Sequence, residues 1–300
     1  MSKVSIIIPS RNEIFLAETV KDLLTKASGD IEVIAFLDGY WPDGNTTHNL
    51  DLWNELLVSE NPNIVILRIN NAKGMRNAIN SAASIARGEY LLKCDAHCMF
   101  GEGYDEILKA DMQDNWIVIP PRYSLDAENW KIEDNGKPRR DYHYLCYPDP
   151  NKDHDHGMHG VEWWSRGRER ADYIIDDNMS FQGSCWFMKK TWFTDFLGGM
   201  SEVGYGTFSQ EPQEIGLKTW LGGGEIKVNK NTWYAHLHKG SRYGRMYKIN
   251  QKEIINSHDW AARHWMNNEW EKRIHNIDWL IEKFWPVPTW PEDRSLWVAP

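Results

Sequence analysis

Asp95 and His97 stand two residues apart, directly after the apolar run Tyr90-Leu91-Leu92. In an extended segment such a pair projects to one side, so a carboxylate and an imidazole would share a face. That combination suits a divalent ion such as manganese. Two thiols, Cys94 and Cys98, bracket the pair and raise the possibility of zinc with His97. No paired Cys-X-X-Cys spacing supports zinc, and both cysteines read better as small apolar residues beside a strand end. A second chemistry-bearing stretch is Trp233-Tyr234-Ala235-His236-Leu237-His238, followed by Lys239, Arg242 and Arg245. A third, with His154, His156 and His159, fits no ligand spacing and reads as a solvated loop.

One Asp-X-His pair decides little until the elements that would hold it are known. Val4-Ser5-Ile6-Ile7-Ile8-Pro9 is an almost continuous apolar run, the pattern of a strand buried on both faces. Helical periodicity follows over 14–27, 48–59 and 73–86, and strand runs over Ile31–Leu37, Ile64–Leu67 and Tyr90–Cys94. The alternation predicts an α/β fold with a mostly parallel sheet and right-handed crossovers. Such sheets bind ligands outside the carboxyl ends of their strands. Pro9-Ser10-Arg11, Asp38-Gly39 and Asp95-Ala96-His97 all lie there and converge on one rim.

Beyond residue 100 the alternation loosens. Residues 103–113 and 211–221 read as helices, and Trp116–Pro120 and Glu225–Val228 as strands, while 122–180 is polar and irregular. Phe181–Met188 is a strand interrupted by Gly183, where a ligand can approach the backbone. Residues 250–285 read as a helical tail rich in tryptophan, and Pro286, Pro288 and Pro291 make the remainder extended. The tail is expected to pack beside the basic loop at 239–245 and to wall an acceptor cleft. Its rings would act as a clamp or as a stacking platform for a sugar or base.

Composition narrows the class. The formal net charge of −9 over 300 residues disfavours a non-specific polyanion binder. No basic leader precedes the first strand and no run of about 18 apolar residues occurs, so the expected address is the cytoplasm, with no membrane contact. Four cysteines do not make a disulfide framework.

With these residues laid out, the chain resembles the GT-A nucleotide-sugar glycosyltransferases. Ser5-Ile6-Ile7-Ile8-Pro9-Ser10-Arg11-Asn12-Glu13 is similar to their opening strand, and Asp38-Gly39 to their uridine-binding acid. Lys73-Gly74-Met75-Arg76-Asn77 and Ala86-Arg87-Gly88-Glu89-Tyr90 resemble the helix before their metal motif. Asp95-Ala96-His97, Gly198-Gly199-Met200-Ser201-Glu202, Glu211-Pro212-Gln213-Glu214 and Trp220-Leu221-Gly222-Gly223 resemble the polypeptide N-acetylgalactosaminyltransferases in particular. The resemblance covers about residues 3–245. It implies a GT-A catalytic domain over 1–247, with a Trp-rich extension over 248–300. It implies Mn2+ or Mg2+ on Asp95, His97 and His236, the last preferred over His238 on family position. It implies a UDP-sugar donor against Pro9, Arg11, Asp38, Arg76, Asp95, Gly183 and Trp186. Arg242, with Lys239 and Arg245, would cover the diphosphate. Glu211 stands where inverting relatives place a Glu-Asp pair, and Pro212 offers no base, so transfer with retention is expected. The acceptor hydroxyl would belong to a protein, a glycan, a small molecule or a modified DNA base. Alternative readings are glycosylation of hydroxymethylated viral DNA and an inactive sugar-binding protein on the same fold; nucleotidyl transfer is disfavoured, because Ser10-Arg11-Asn12-Glu13 is not a Gly-rich phosphate loop.

Overall fold

The computed structural model describes residues 2–39, 52, 54–56, 61–149, 151, 157–245 and 247–300. The chain opens with β1 (Val4–Ser10), α1 (Leu16–Lys26), β2 (Ile31–Asp38), β3 (Ile64–Ile69), α2 (Met75–Ile85) and β4 (Tyr90–Cys94). Of the helix expected over 48–59, Leu52, Asn54, Glu55 and Leu56 are helical and the rest lies outside the described residues. β1 explains the layering. Val4, Ile6 and Ile8 pack into one cluster with Leu16, Val20 and Leu23 of α1, whereas Ile7 joins Ala78, Ile79 and Ala82 of α2 in another. Alternate side chains thus feed the two faces of one sheet, which is why the run carries no polar alternation.

β1 pairs in parallel with β2 on one side and β4 on the other, and β2 pairs in parallel with β3. The chain builds outward from β1 to β3, then returns across β1 to lay down β4. The order therefore reverses between β1 and β4, and a crevice opens at their carboxyl ends.

The stretch read as irregular is more ordered than expected. It holds β5 (Cys98–Phe100), α3 (Tyr104–Ala110), β6 (Trp116–Ile119), β7 (Arg122–Asp126), β8 (Lys131–Ile132), β9 (His143–Leu145), β10 (Gly160–Glu162), α4 (Trp164–Glu169) and β11 (Ile175–Asp177). Several of these strands have only two or three residues, too few for a period-2 signal. β12 (Cys185–Lys189), α5 (Glu211–Leu221), β13 (Glu225–Asn229), β14 (Tyr234–His236) and α6 (Gly240–Tyr243) follow. The main sheet has eight strands in the order β11-β13-β6-β12-β4-β1-β2-β3, with β12 antiparallel to β4 and β6. A separate four-stranded sheet has the order β5-β14-β7-β8.

The tail forms α7 (Gln251–Met266) and α8 (Ile277–Lys283) in place of one long helix. Asn268, in the left-handed region at φ 54°, breaks it, and its side-chain oxygen accepts from Ile277 N at 2.7 Å. Trp265, Trp290 and Trp297 are buried in the same cluster as Trp186 and Trp220 of the sheet side. Trp290 Nε1 donates to Leu145 O at 2.8 Å. Among the described residues no helix is long and apolar enough to cross a membrane.

Candidate active site

A cavity of about 880 Å³ opens at the carboxyl ends of β1 and β4. Of the residues expected to form a site, Pro9, Arg11, Asp38, Asp95, His97, Gly183, Glu211 and His236 line it.

Asp95, His97 and His236 each present a ligating atom, and the three atoms lie within 4.8 Å of one another. Asp95 is fixed because β4 ends at Cys94 and its own N donates to Ser184 O at 3.0 Å. His236 arrives through the second sheet. β14 runs antiparallel to β5 with His236 opposite Cys98, and Leu237 N donates to His97 O at 3.2 Å. His236 Nε2 stands 3.2 Å from Asp95 Oδ2, and His97 Nε2 stands 4.0 Å from it. Burial drives the His236 imidazole down to about 3 against the pull of Asp95, so the ring is neutral, the form that ligates metals. Burial would raise the Asp95 carboxyl, but Lys93 and the two histidines hold it well below the usual range.

Glu13 was not foreseen. Its Oε2 lies 3.1 Å from His97 Nδ1, which turns Nε2 toward Asp95. Lys239 Nζ donates to both Glu13 oxygens at 2.6 and 2.5 Å. A carboxylate bracing the far nitrogen of a histidine is the usual support of a metal-ligating ring. One carboxylate and two imidazoles, one of them braced, fit a divalent cation of the manganese type. The signal was present in Ser10-Arg11-Asn12-Glu13, which reads as no more than a polar turn.

Lys93 was also missed. Although in the middle of a buried strand, its ammonium donates to Asp95 Oδ1 at 2.8 Å, Gly183 O at 2.5 Å and Glu211 Oε2 at 3.2 Å. Burial favours the neutral amine, and the two carboxylates outweigh it and raise the ammonium above its usual range. Glu211 in turn is raised, because burial exceeds the help of Lys93. Its Oε1 accepts from Trp186 Nε1 at 2.7 Å. Space at Gly183 is tight, since a Cβ would sit 3.0 Å from Glu211 Oε2. Burial pushes the Cys94 and Cys98 thiols well up, so neither offers a thiolate.

Three expected contacts lie elsewhere. Arg76 is fully buried and spent on Glu214 and on the carbonyls of Ser201 and Ser209, so it does not reach the cavity. Arg242 points outward to Glu128 with 69% of its side chain exposed, while Lys239 and Arg245 of the same loop line the cavity. Trp186 is fully buried behind Glu211 and acts on the cavity only through that hydrogen bond. Asp38 lines the cavity, but its two oxygens accept from Lys73 N at 2.7 Å and Gly74 N at 2.8 Å. None of the tail's tryptophans lines the cavity; the tail contributes Lys248, Ile249, Asn250, Glu253, Ile254 and His258. Its rings clamp the core rather than form a stacking platform. Within the His-rich run, His159 lines the cavity, and His154 and His156 lie outside the described residues.

Comparison with known proteins agrees with this geometry. "Probable N-acetylgalactosaminyltransferase 7" of Caenorhabditis elegans is 22% identical over 266 residues, 84% of this chain and 41% of that protein. "Polypeptide N-acetylgalactosaminyltransferase 12" of Mus musculus is 26% identical over 302 residues, 96% of this chain and 48% of that protein. The chain thus spans less than half the length of these curated relatives. Among solved structures, GalNAc-T7 with UDP, GalNAc and Mn2+ superposes with a TM-score of 0.68 at 17% identity, over 90% of this chain and 50% of that one. S. aureus TarS 1–349 in complex with UDP-GlcNAc superposes at 0.56 and 14% identity, over 90% and 68%. The fold is therefore GT-A. A family model, glycosyl transferase family 2, matches residues 5–197, well over half of the 300 residues, and the chain belongs to that family.

Proposed function

We propose that this glycosyltransferase moves a sugar from a UDP-sugar to an acceptor hydroxyl, with manganese or magnesium held by Asp95, His97 and His236. The observation that carries the reading is the convergence of those three donors, within 4.8 Å, in a cavity at the β1–β4 switch point. The GalNAc-T7 and TarS structures, with UDP and Mn2+ and with UDP-GlcNAc respectively, support the donor class. A cation bound there supplies Lewis-acid stabilisation of the diphosphate that leaves. In this reading residues 1–247 are the catalytic unit and 248–300 an extension. The four free, buried cysteines suit a reducing compartment such as the cytoplasm.

The chain's own groups then divide the work. Pro9, Arg11 and Asp38 lie toward β1 and β2 and face the nucleotide. Lys93 holds Asp95 and Glu211 apart at fixed spacing. Lys239 and Arg245 offer positive charge to the phosphates, with Lys239 also locking Glu13 behind His97. Glu211 presents a buried carboxylate to the cavity, and Pro212 beside it supplies no base, which favours retention. The acceptor hydroxyl then attacks from the face of the departing UDP, and a phosphate oxygen takes its proton.

The test is UDP release across a panel of UDP-sugars, with and without Mn2+. Wild type should show metal-dependent release with at least one donor. His97→Ala and His236→Ala should each lose about 100-fold or more while melting normally, since loss of a bracing group alone costs 10–100-fold. Full activity in His236→Ala would move the third ligand elsewhere, with His238 next to be tested.

A further inference from the structure

The cavity has a second polar cluster besides Asp95, His97 and His236. β9 and β10 pair antiparallel with Glu162 directly opposite His143, so the two side chains stand on one face. Both line the cavity, as does His159. His143 is 5% exposed, and neither ring nitrogen has a hydrogen-bond partner among the described residues. Buried polar groups in native folds are nearly always paired, so an unpaired imidazole enclosed just behind a cavity wall marks this end as short of a polar partner. The main chain beneath the ring is fixed. His143 N donates to Asn178 Oδ1 at 2.9 Å, and Ser180 N donates to His143 O at 3.1 Å. Burial and the adjacent Arg122 keep the ring neutral, so it offers one donor and one acceptor.

Glu162 supplies the complementary capacity. Arg122 Nη2 at 3.1 Å and Arg140 Nε at 3.2 Å both meet its Oε1, which leaves acceptor capacity on the other oxygen. Neither guanidinium lines the cavity. This end therefore lines the cavity with a carboxylate and imidazoles, while the Arg122 and Arg140 guanidiniums stand off the lining behind Glu162. It also adjoins the proposed transfer point. Arg140 Nη1 lies 3.4 Å from Ser124 Oγ, and Ser124 is the register partner of His236. The His238 ring, 5.3 Å from that of His236, completes the link.

We propose that the His143–Glu162 end is the acceptor subsite and that it takes a neutral, hydroxyl-rich molecule, a saccharide. Sugar hydroxyls donate to a carboxylate and exchange hydrogen bonds with a neutral imidazole. A phosphate-bearing acceptor would meet the Glu162 carboxylate first, since Arg122 and Arg140 lie off the cavity lining. The inference rests on the UDP-sugar reading above. A sugar hydroxyl forms the new bond to the anomeric carbon, the bond to UDP breaks, and the hydroxyl proton leaves on the phosphate.

Two measurements on the full chain test it. In the first, UDP release with Mn2+ and the active donor is followed with N-acetyllactosamine or maltotriose, with a Ser/Thr peptide, or with an oligonucleotide carrying 5-hydroxymethylcytosine. A saccharide should stimulate release, and Glu162→Gln and His159→Ala should raise its KM about tenfold with donor KM within about twofold. The first substitution is nearly isosteric and the second falls on a half-buried side chain, so both variants are suited to fold. Stimulation by peptide or oligonucleotide alone, or an unchanged saccharide KM in both variants, overturns the subsite. In the second, saturation-transfer NMR with the same saccharides, without donor, should show binding that Glu162→Gln loses. Binding without any donor turnover would sink the UDP-sugar reading and spare the subsite. Turnover with no saccharide signal in either measurement would do the reverse.

Discussion

Glu211 and Glu214 lie three residues apart in the first turn of α5, on one helix face, and both are buried, at 4% and 0% exposure. Their surroundings differ completely. Glu214 is saturated: it pairs with Arg76, accepts from Lys218 Nζ at 2.6 Å and takes Ser201 N at 3.0 Å. Arg76 is closed in turn by two carbonyls and by the Tyr205 ring, 4.3 Å from its centre. Glu211 shares its cation with Asp95 and faces the cavity. Two acids on one helix thus serve a scaffold and a site. What separates them is remaining capacity toward the cavity, because burial and ion pairing are common to both.

The largest effect expected from this contrast is on stability. Glu214→Gln strands Arg76 and Lys218 in the interior and should cost about 3–5 kcal/mol in denaturant unfolding, the range for breaking a buried pair. Glu211→Gln keeps an oxygen for Trp186 and should cost no more than about 1.5–3 kcal/mol, yet slow turnover at least about tenfold. Equal melting of the two variants would erase the distinction.

A smaller effect concerns pH. The folded-state pKa of His143, lowered to about 3, lies below its ordinary 6.5, so the unfolded chain binds the extra proton first. Stability from this group is therefore present above pH 6.5 and is lost as pH falls toward 3. The groups facing it are Arg122, Arg140, Glu162 and His159. Unfolding free energy should fall below pH 6.5 by up to about 1.4 kcal/mol per pH unit from this ring. His143→Gln should flatten that slope, and an identical pH profile in the variant would show that the ring is not held neutral.

The smallest effect tests a closed contact remote from the site. Trp290→Phe removes the bond to Leu145 O and should cost about 0.5–1.5 kcal/mol, with donor turnover unchanged. A change in donor KM would tie the tail to the site more closely than its burial suggests.

What could be read from the sequence follows the same division. Strands β1 to β4 and the Asp95–His97 pair were legible because continuous apolar runs mark a sheet covered on both faces, and its rim is where polar residues gather. Lys93 and Glu13 were not, because nothing in a sequence says that a lysine within a strand meets an acid 118 residues later. Arg76 was misjudged because motif position fixes a backbone location and not the side toward which a helical side chain leans. Arg242 failed for the opposite reason: it shares a loop with Lys239 and Arg245 but turns to Glu128 outside. Strands β8 to β10 were too short for periodicity, and the His143–Glu162 pairing depends entirely on the register of β9 and β10.

The pairing of β14 with β5 also sets an order of events. During synthesis Asp95 and His97 emerge well over a hundred residues before His236. Until β14 adds to β5, the nascent chain has only the two-membered Asp-X-His pair, a weak grip for any cation. The third donor comes with the last strand of the second sheet. On the proposed metal-bound reading, a chain halted before residue 234 would hold only two of the three donors, so loading would wait for β14 to join β5.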